Sequence, residues 1–180
     1  MIRLTSTRPL AGLLAASVLA FALPAAPARA QAPAGSVLAG TFSDWSVYTS
    51  QQGNAKVCYA VTQPKTRLPA GLNRDPGYLF VSSRPADNVR NEFSLVMGFP
   101  TRPGQDAQAV INGGATFALV TSGANVWVKD AAQEAALLAA LRGGSKLTIR
   151  STSARGSSLT DEYSLAGVSA ALQRLARECP

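Results

Sequence analysis

Beyond residue 41 this chain is written in short alternating runs, and that rhythm constrains its fold more than any other feature. FSDWSVYTS sets Phe42, Trp45, Val47 and Thr49 between polar or half-polar neighbours. KVCYAVTQ repeats the alternation after QQGNA, a short turn containing Gly53, so the two runs predict a hairpin. YLFVSSR, NEFSLVMGF, AQAVING, ATFALVTS, NVWVKD, SKLTIRSTS and DEYSLAG continue the pattern. PADNVR, PTRPGQD, Gly113-Gly114 and ARGSS supply turn chemistry between them. A period of two turns one face of each strand toward a core and the other toward water.

Two stretches change to a helical period. In DAAQEAALLAALRGG, Asp130 is a good N-cap, Glu134 lies early, and Leu137, Leu138 and Leu141 fall on one face. Gly143 is the expected left-handed stop. In VSAALQRLARE, Val168, Ala171, Leu172 and Leu175 face one way and Gln173, Arg174 and Arg177 the other. About nine short strands and two short helices, one of them C-terminal, predict a mainly β fold. The expected form is an antiparallel β-sandwich with the helices as caps or edge covers. A parallel βαβ sheet is disfavoured, because only one strand pair is separated by a helix.

The N-terminus carries a different signal. Arg3 and Arg8 precede an apolar run from Leu10 to Leu23, which leads to Ala28-Arg29-Ala30. That order is the pattern of a secretory leader over residues 1–30, cut after Ala30. The run is shorter than the roughly 20 apolar residues of a spanning helix, and no lipobox cysteine follows it. Residues 31–40 read as a flexible lead-in and residues 41–180 as a single domain. Removing Arg3, Arg8 and Arg29 leaves 14 basic against 10 acidic residues, a balance of +4. No basic run is interleaved with aromatics, which argues against nucleic acid as a partner.

The sequence contains no histidine. The usual general base near neutral pH is therefore missing, and so are Ser-His-Asp and Cys-His arrangements. The commonest ligand of zinc and copper is missing too. No cofactor or metal is expected. There are two cysteines, Cys58 in a strand-like run and Cys179 at the end of the last helix-like run. An even count in an exported chain favours one Cys58–Cys179 disulfide. An intermolecular bridge through Cys179 and two free thiols are the alternatives.

Candidate binding residues gather on the long loop Pro64–Pro76, which carries Lys65, Arg67 and Arg74, with Arg84 beyond the next strand and Arg90 in NVRNE. Arginines on a proline-stiffened loop could dock a carboxylate or phosphate. Local pairing with Asp75 or Asp87 is the plainer alternative. Asp161 and Glu162 are adjacent on a strand, so they point to opposite faces and cannot form a facing acid/base pair. Ser153 to Ser158 lacks a histidine base, and Lys146 with a serine is a formal Ser–Lys dyad that no S-x-x-K spacing supports. Trp45 and Trp127 read as core or interface rings.

Taken in order, FSDWSVY, the segment from KVCYAV to LVMGFP, and SARGSSLTDEYSLAGVSAALQRLARECP resemble the invasion-associated locus B family. The likeness spans nearly the whole chain beyond the leader. It implies an exported protein of Gram-negative bacteria, periplasmic, associated with the outer membrane, or secreted. It also implies a β-sandwich-like body, and some members are linked to invasion of host cells. The resemblance brings no catalytic residues. Family members that hold extra cysteines have them in the first strand and mid-domain. Here Thr49 stands in the first strand, which leaves the Cys58-to-tail bridge. The expected function is a non-enzymatic binding protein of the bacterial envelope, contacting a protein or an anionic envelope component. A small-molecule or glycan-binding module is the alternative, and a carboxylate or Ser–Lys hydrolase a third.

Overall fold

The computed structural model describes residues 35–180. The leader over residues 1–30 and the first residues of the lead-in lie outside the described residues. Eleven strands form one continuous antiparallel sheet in the order β1-β2-β3-β5-β6-β9-β8-β7-β10-β11-β4. The strands are β1 (Ser36–Phe42), β2 (Trp45–Gln52), β3 (Ala55–Thr62), β4 (Thr66–Leu68), β5 (Tyr78–Arg84) and β6 (Val89–Val96). They continue as β7 (Ala107–Ile111), β8 (Thr116–Ser122), β9 (Asn125–Val128), β10 (Lys146–Thr152) and β11 (Ser158–Ser164). Helix α1 (Ala131–Gly143) lies between β9 and β10, and α2 (Val168–Glu178) follows β11.

Among the described residues the fold is mainly β and antiparallel with two helices, as the alternation predicts, but with eleven strands instead of about nine. The two additional strands come from segments read as irregular. Residues 31–40 were expected to be a flexible lead-in, yet β1 begins at Ser36 and pairs with β2, with a register shift between Leu38 and Gly40. Strand β4 arises inside the Pro64–Pro76 loop, where Thr66, Arg67 and Leu68 pair with Glu162, Asp161 and Thr160 of β11.

Inward side chains from both halves of the sheet and from both helices form one apolar cluster. Trp45, Phe93, Leu95, Leu119, Ile149 and Tyr163 are among its fully buried members. The sheet therefore curls over on itself, and its two halves face each other across a shared core. Trp45 Nε1 donates to Ser164 O at 3.1 Å, and the backbone N–H of Asp44 donates to Ala166 O at 3.3 Å, fastening the start of β2 to the end of β11.

Both helices present the faces expected. Leu137, Leu138 and Leu141 of α1, and Val168, Ala171, Leu172 and Leu175 of α2, are buried. Asp130 caps α1 by accepting from the Gln133 N–H at 2.9 Å. The stop of α1 differs from expectation. The helix runs through Gly143 and ends at Gly144, whose φ of −93° is not left-handed. Gly144 is required for close approach instead, because a Cβ there would lie 2.6 Å from Ile111 Cγ2 and 2.9 Å from Leu165 Cδ1. The last turn of α2 hands the chain to Cys179, which is bonded to Cys58 of β3 across a Cα separation of 6.1 Å.

Candidate functional site

The five cations proposed from sequence do not form one patch. Arg67 and Arg74 turn inward to Asp161, whose side chain is fully buried. Arg67 Nε donates to Asp161 Oδ1 and Oδ2, both at 3.3 Å, and Arg74 Nη1 donates to Oδ1 at 3.2 Å. The remaining guanidinium donors hold backbone: Arg67 reaches Asp75 O at 2.7 Å and Met97 O at 2.6 Å, and Arg74 reaches Pro69 O at 3.1 Å. Charged side chains are tolerated inside a protein only with such pairing. The loop is thus a strap fastened to β11 and to the end of β6, not a free arginine-bearing arm.

Asp161 and Glu162 do point to opposite faces. Glu162 lies on the outer face, where it accepts from Lys146 Nζ at 2.9 Å, so Lys146 is engaged by a carboxylate and not by a serine. Ser153 sits in the β10–β11 turn and accepts from the Ser157 N–H at 3.1 Å. Beside Asp161, burial pushes the Tyr163 phenol well up, and the neighbouring carboxylate adds to the effect. The hydroxyls of Tyr163 and Ser151 are buried without a partner among the described residues.

Arg84 and Arg90 lie at the opposite end of β5 from the strap, roughly 20 Å away at the rise of a strand. Arg84 pairs with Asp87 at 3.4 Å and with Glu92 at 2.5 Å. Arg90 Nη1 donates to Cys179 O at 3.4 Å, beside the disulfide.

Lys65, the fifth cation, faces a groove. The groove has a volume of about 630 Å³ and lies over the outer face of β1, β2 and β3, walled by the start of the strap. Leu38, Thr41, Ser46, Tyr48 and Val61 line its floor, and Asp44 and Lys65 stand at its rim. Lys65 Nζ lies 2.5 Å from Asp44 Oδ1. That ammonium, with help from the Ser164 hydroxyl, holds the Asp44 carboxyl below its ordinary range.

An aromatic run extends from the groove over the same face. Tyr48 stacks on Tyr59 at 5.5 Å between ring centroids, Tyr59 meets Phe80 edge-on at 5.9 Å, and Phe80 neighbours Tyr78 at 6.0 Å. At the edge of the sheet, Val37 and Leu38 of β1 are 67% and 52% exposed. Trp45 is a core ring, whereas Trp127 is half-buried opposite Ser94.

Sequence reasoning did not find this groove, because part of its floor is β1. SVLAGTF breaks strict alternation at Ala39-Gly40, where the register shifts. The signal present was Tyr48, Tyr59 and Phe80, aromatic residues on the polar phase of strands whose other phase is buried.

No curated protein matches this chain. A solved structure, the invasion associated protein B of Bartonella henselae, superimposes with a TM-score of 0.54 at 23% identity. The match covers 79% of this chain and 97% of that one, and it shows a shared fold. The family model described as Invasion associated locus B (IalB) protein matches residues 45–176, a span that takes in the Cys58 strand, the strap and most of α2. On that match, the chain belongs to the invasion associated locus B family.

Proposed function

We propose that this chain is an exported, non-enzymatic binding protein of the bacterial periplasm or outer envelope, and that the groove over β1, β2 and β3 is its contact surface. The observation that carries this reading is the combination of a groove of about 630 Å³ with an exposed, apolar sheet edge at Val37 and Leu38. Among the described residues β1 is the margin strand of the sheet. Grooves beside such an edge suit extended polypeptide segments, which add backbone hydrogen bonds and place side chains in the groove. Three things support a role without catalysis. The sequence has no imidazole, Asp161 is enclosed by two guanidinium groups, and Lys146 is held by Glu162. Membership of the invasion associated family supports export, and a contribution to host-cell interaction belongs to the same proposal.

Photo-crosslinkers placed at Thr41 and Tyr48, used in the native envelope, should trap a discrete partner, while crosslinkers at Gln133 and Ala135 on the exposed side of α1 should not. Equal or absent trapping from the groove positions would reject the groove as the contact surface. A glycan is the second reading, favoured by the Tyr48 ring beside Thr41, Asp44 and Gln63. Soluble oligosaccharides that quench Tyr48 or Tyr59 fluorescence, with no protein trapped, would select it.

A further inference from the structure

Beyond the leader the chain carries 14 basic residues. Seven of them are in ion pairs. Arg90 donates to a backbone carbonyl, and Arg142 and Arg177 occupy the last turns of α1 and α2, where the helix dipole favours a cation. Lys129 immediately precedes the α1 cap. Three arginines remain, Arg102, Arg150 and Arg155, and the fold brings all three to one end of β10.

The backbone N–H of Arg102 donates to Thr152 O at 2.8 Å, and Thr101 bridges to Ser153. A side-chain carbon at Gly156 would lie 4.0 Å from Arg102 Nη1, so this guanidinium rests on the β10–β11 turn beside Arg155. Arg150 shares the outer face of β10 with Thr152, roughly 7 Å further along the strand. All three side chains are exposed, and none has a carboxylate within ion-pair distance among the described residues. Thr152, Ser153 and Ser157 are neighbours of Arg150 and Arg155 in sequence, and Ser153 Oγ accepts from the Ser157 N–H at 3.1 Å.

We propose that this arginine cluster at the β10–β11 turn docks the protein on an anionic, phosphate-bearing bilayer surface. Guanidinium groups fit phosphate oxygens bidentately, and neighbouring hydroxyls add donors to the same oxygens. The turn itself, Ala154 to Ser158, is exposed throughout, so it can approach a plane. It offers no large apolar side chain, and the desolvated apolar centre of a protein–protein interface is missing from it. The proposal deepens the envelope-binding reading above by naming a partner and a second contact site, and the groove crosslinks test that reading separately.

The test is co-sedimentation of the mature protein with vesicles of phosphatidylcholine containing about one-third phosphatidylglycerol at low salt. Each cation near such a surface is worth roughly fivefold in partitioning, so R102Q/R150Q/R155Q should bind on the order of 100-fold more weakly than wild type. A charge-matched control, R142Q/K146Q/R177Q, should stay within about fivefold of wild type. High salt should release the wild-type protein, since surface electrostatics are screened. Equal loss in both variants would reduce the effect to net charge and overturn the proposal, as would wild-type protein that ignores anionic vesicles. Release by inorganic phosphate at constant ionic strength would assign the cluster to a free anion, and tighter binding to polyglutamate than to vesicles would assign it to acidic protein. Either result overturns the bilayer.

Discussion

Replacing Asp161 by Ala would leave the Arg67 and Arg74 guanidinium groups facing each other with no counter-charge. Removing one partner of a buried pair costs about 3–5 kcal/mol. Asp161→Ala should therefore lower the unfolding free energy read from urea denaturation by that amount, and a loss under about 1 kcal/mol would show that the triad contributes little. Charge reversal at Arg67 and Arg74 carries the same expectation, because those side chains fasten the strap. Glu134 is a different case. It accepts the Phe93 N–H at 2.6 Å while partly buried, and burial raises its carboxyl, with the Phe93 N–H opposing the rise and nearby Glu92 adding to it. A raised native pKa means that the favourable contribution is complete below the ordinary value of 4.5 and fades as pH rises past it. Gln at this position keeps the acceptor and removes the charge. Denaturation from pH 4 to pH 8 should show E134Q gaining stability relative to wild type as pH rises, and a constant difference would exclude the burial penalty.

Elements differed in how far the sequence announced them. Both helices were legible because an apolar stripe at a 3.6 period needs only local residues, and Asp130 caps its own helix. Strands with a buried phase, such as YLFVSSR with Leu79 and Val81 inside, were legible for the same reason. Strand β4 was not, since three residues carry no period and their pairing partner, β11, lies more than 90 residues away. The arginines of the strap looked outward-facing because nothing near them in sequence shows that Asp161 is their counter-ion. Junctions between elements depend on glycine at two sites of contrasting kind. At Gly167, φ is +89° and a Cβ would lie 2.0 Å from Phe42 O, whereas at Gly113 φ is +74° in open space. Gly113→Ala should cost about 1–3 kcal/mol from backbone strain alone. Gly167→Ala should cost clearly more and should loosen β1 from α2, which hydrogen exchange of the Phe42 and Asp44 region would register. Equal costs would show that the clash relaxes freely.

At the scale of the molecule, the Cys58–Cys179 bond closes a loop with a sequence separation of 121 residues. In the chain-entropy model a loop of that length contributes about 5 kcal/mol, as an upper figure. Both sulfurs are committed to that bond, so alkylation under denaturing conditions without reductant should add no mass to the protein. Reduction followed by alkylation should lower the unfolding midpoint sharply, and an unchanged midpoint would make the bond dispensable. The three residues between β3 and β4 have a consequence of their own. They connect a strand third from one margin of the sheet to the strand at the other margin, so the curl is spanned by the backbone itself. The pairings that complete it, Trp45 with Ser164 and Arg67 with Asp161, join residues 119 and 94 positions apart. A topology of such high contact order must nucleate by gathering remote segments, which makes folding slow. Once closed, its margin strand cannot peel away from β11 without drawing on β3, and the barrier that delays assembly also delays unravelling.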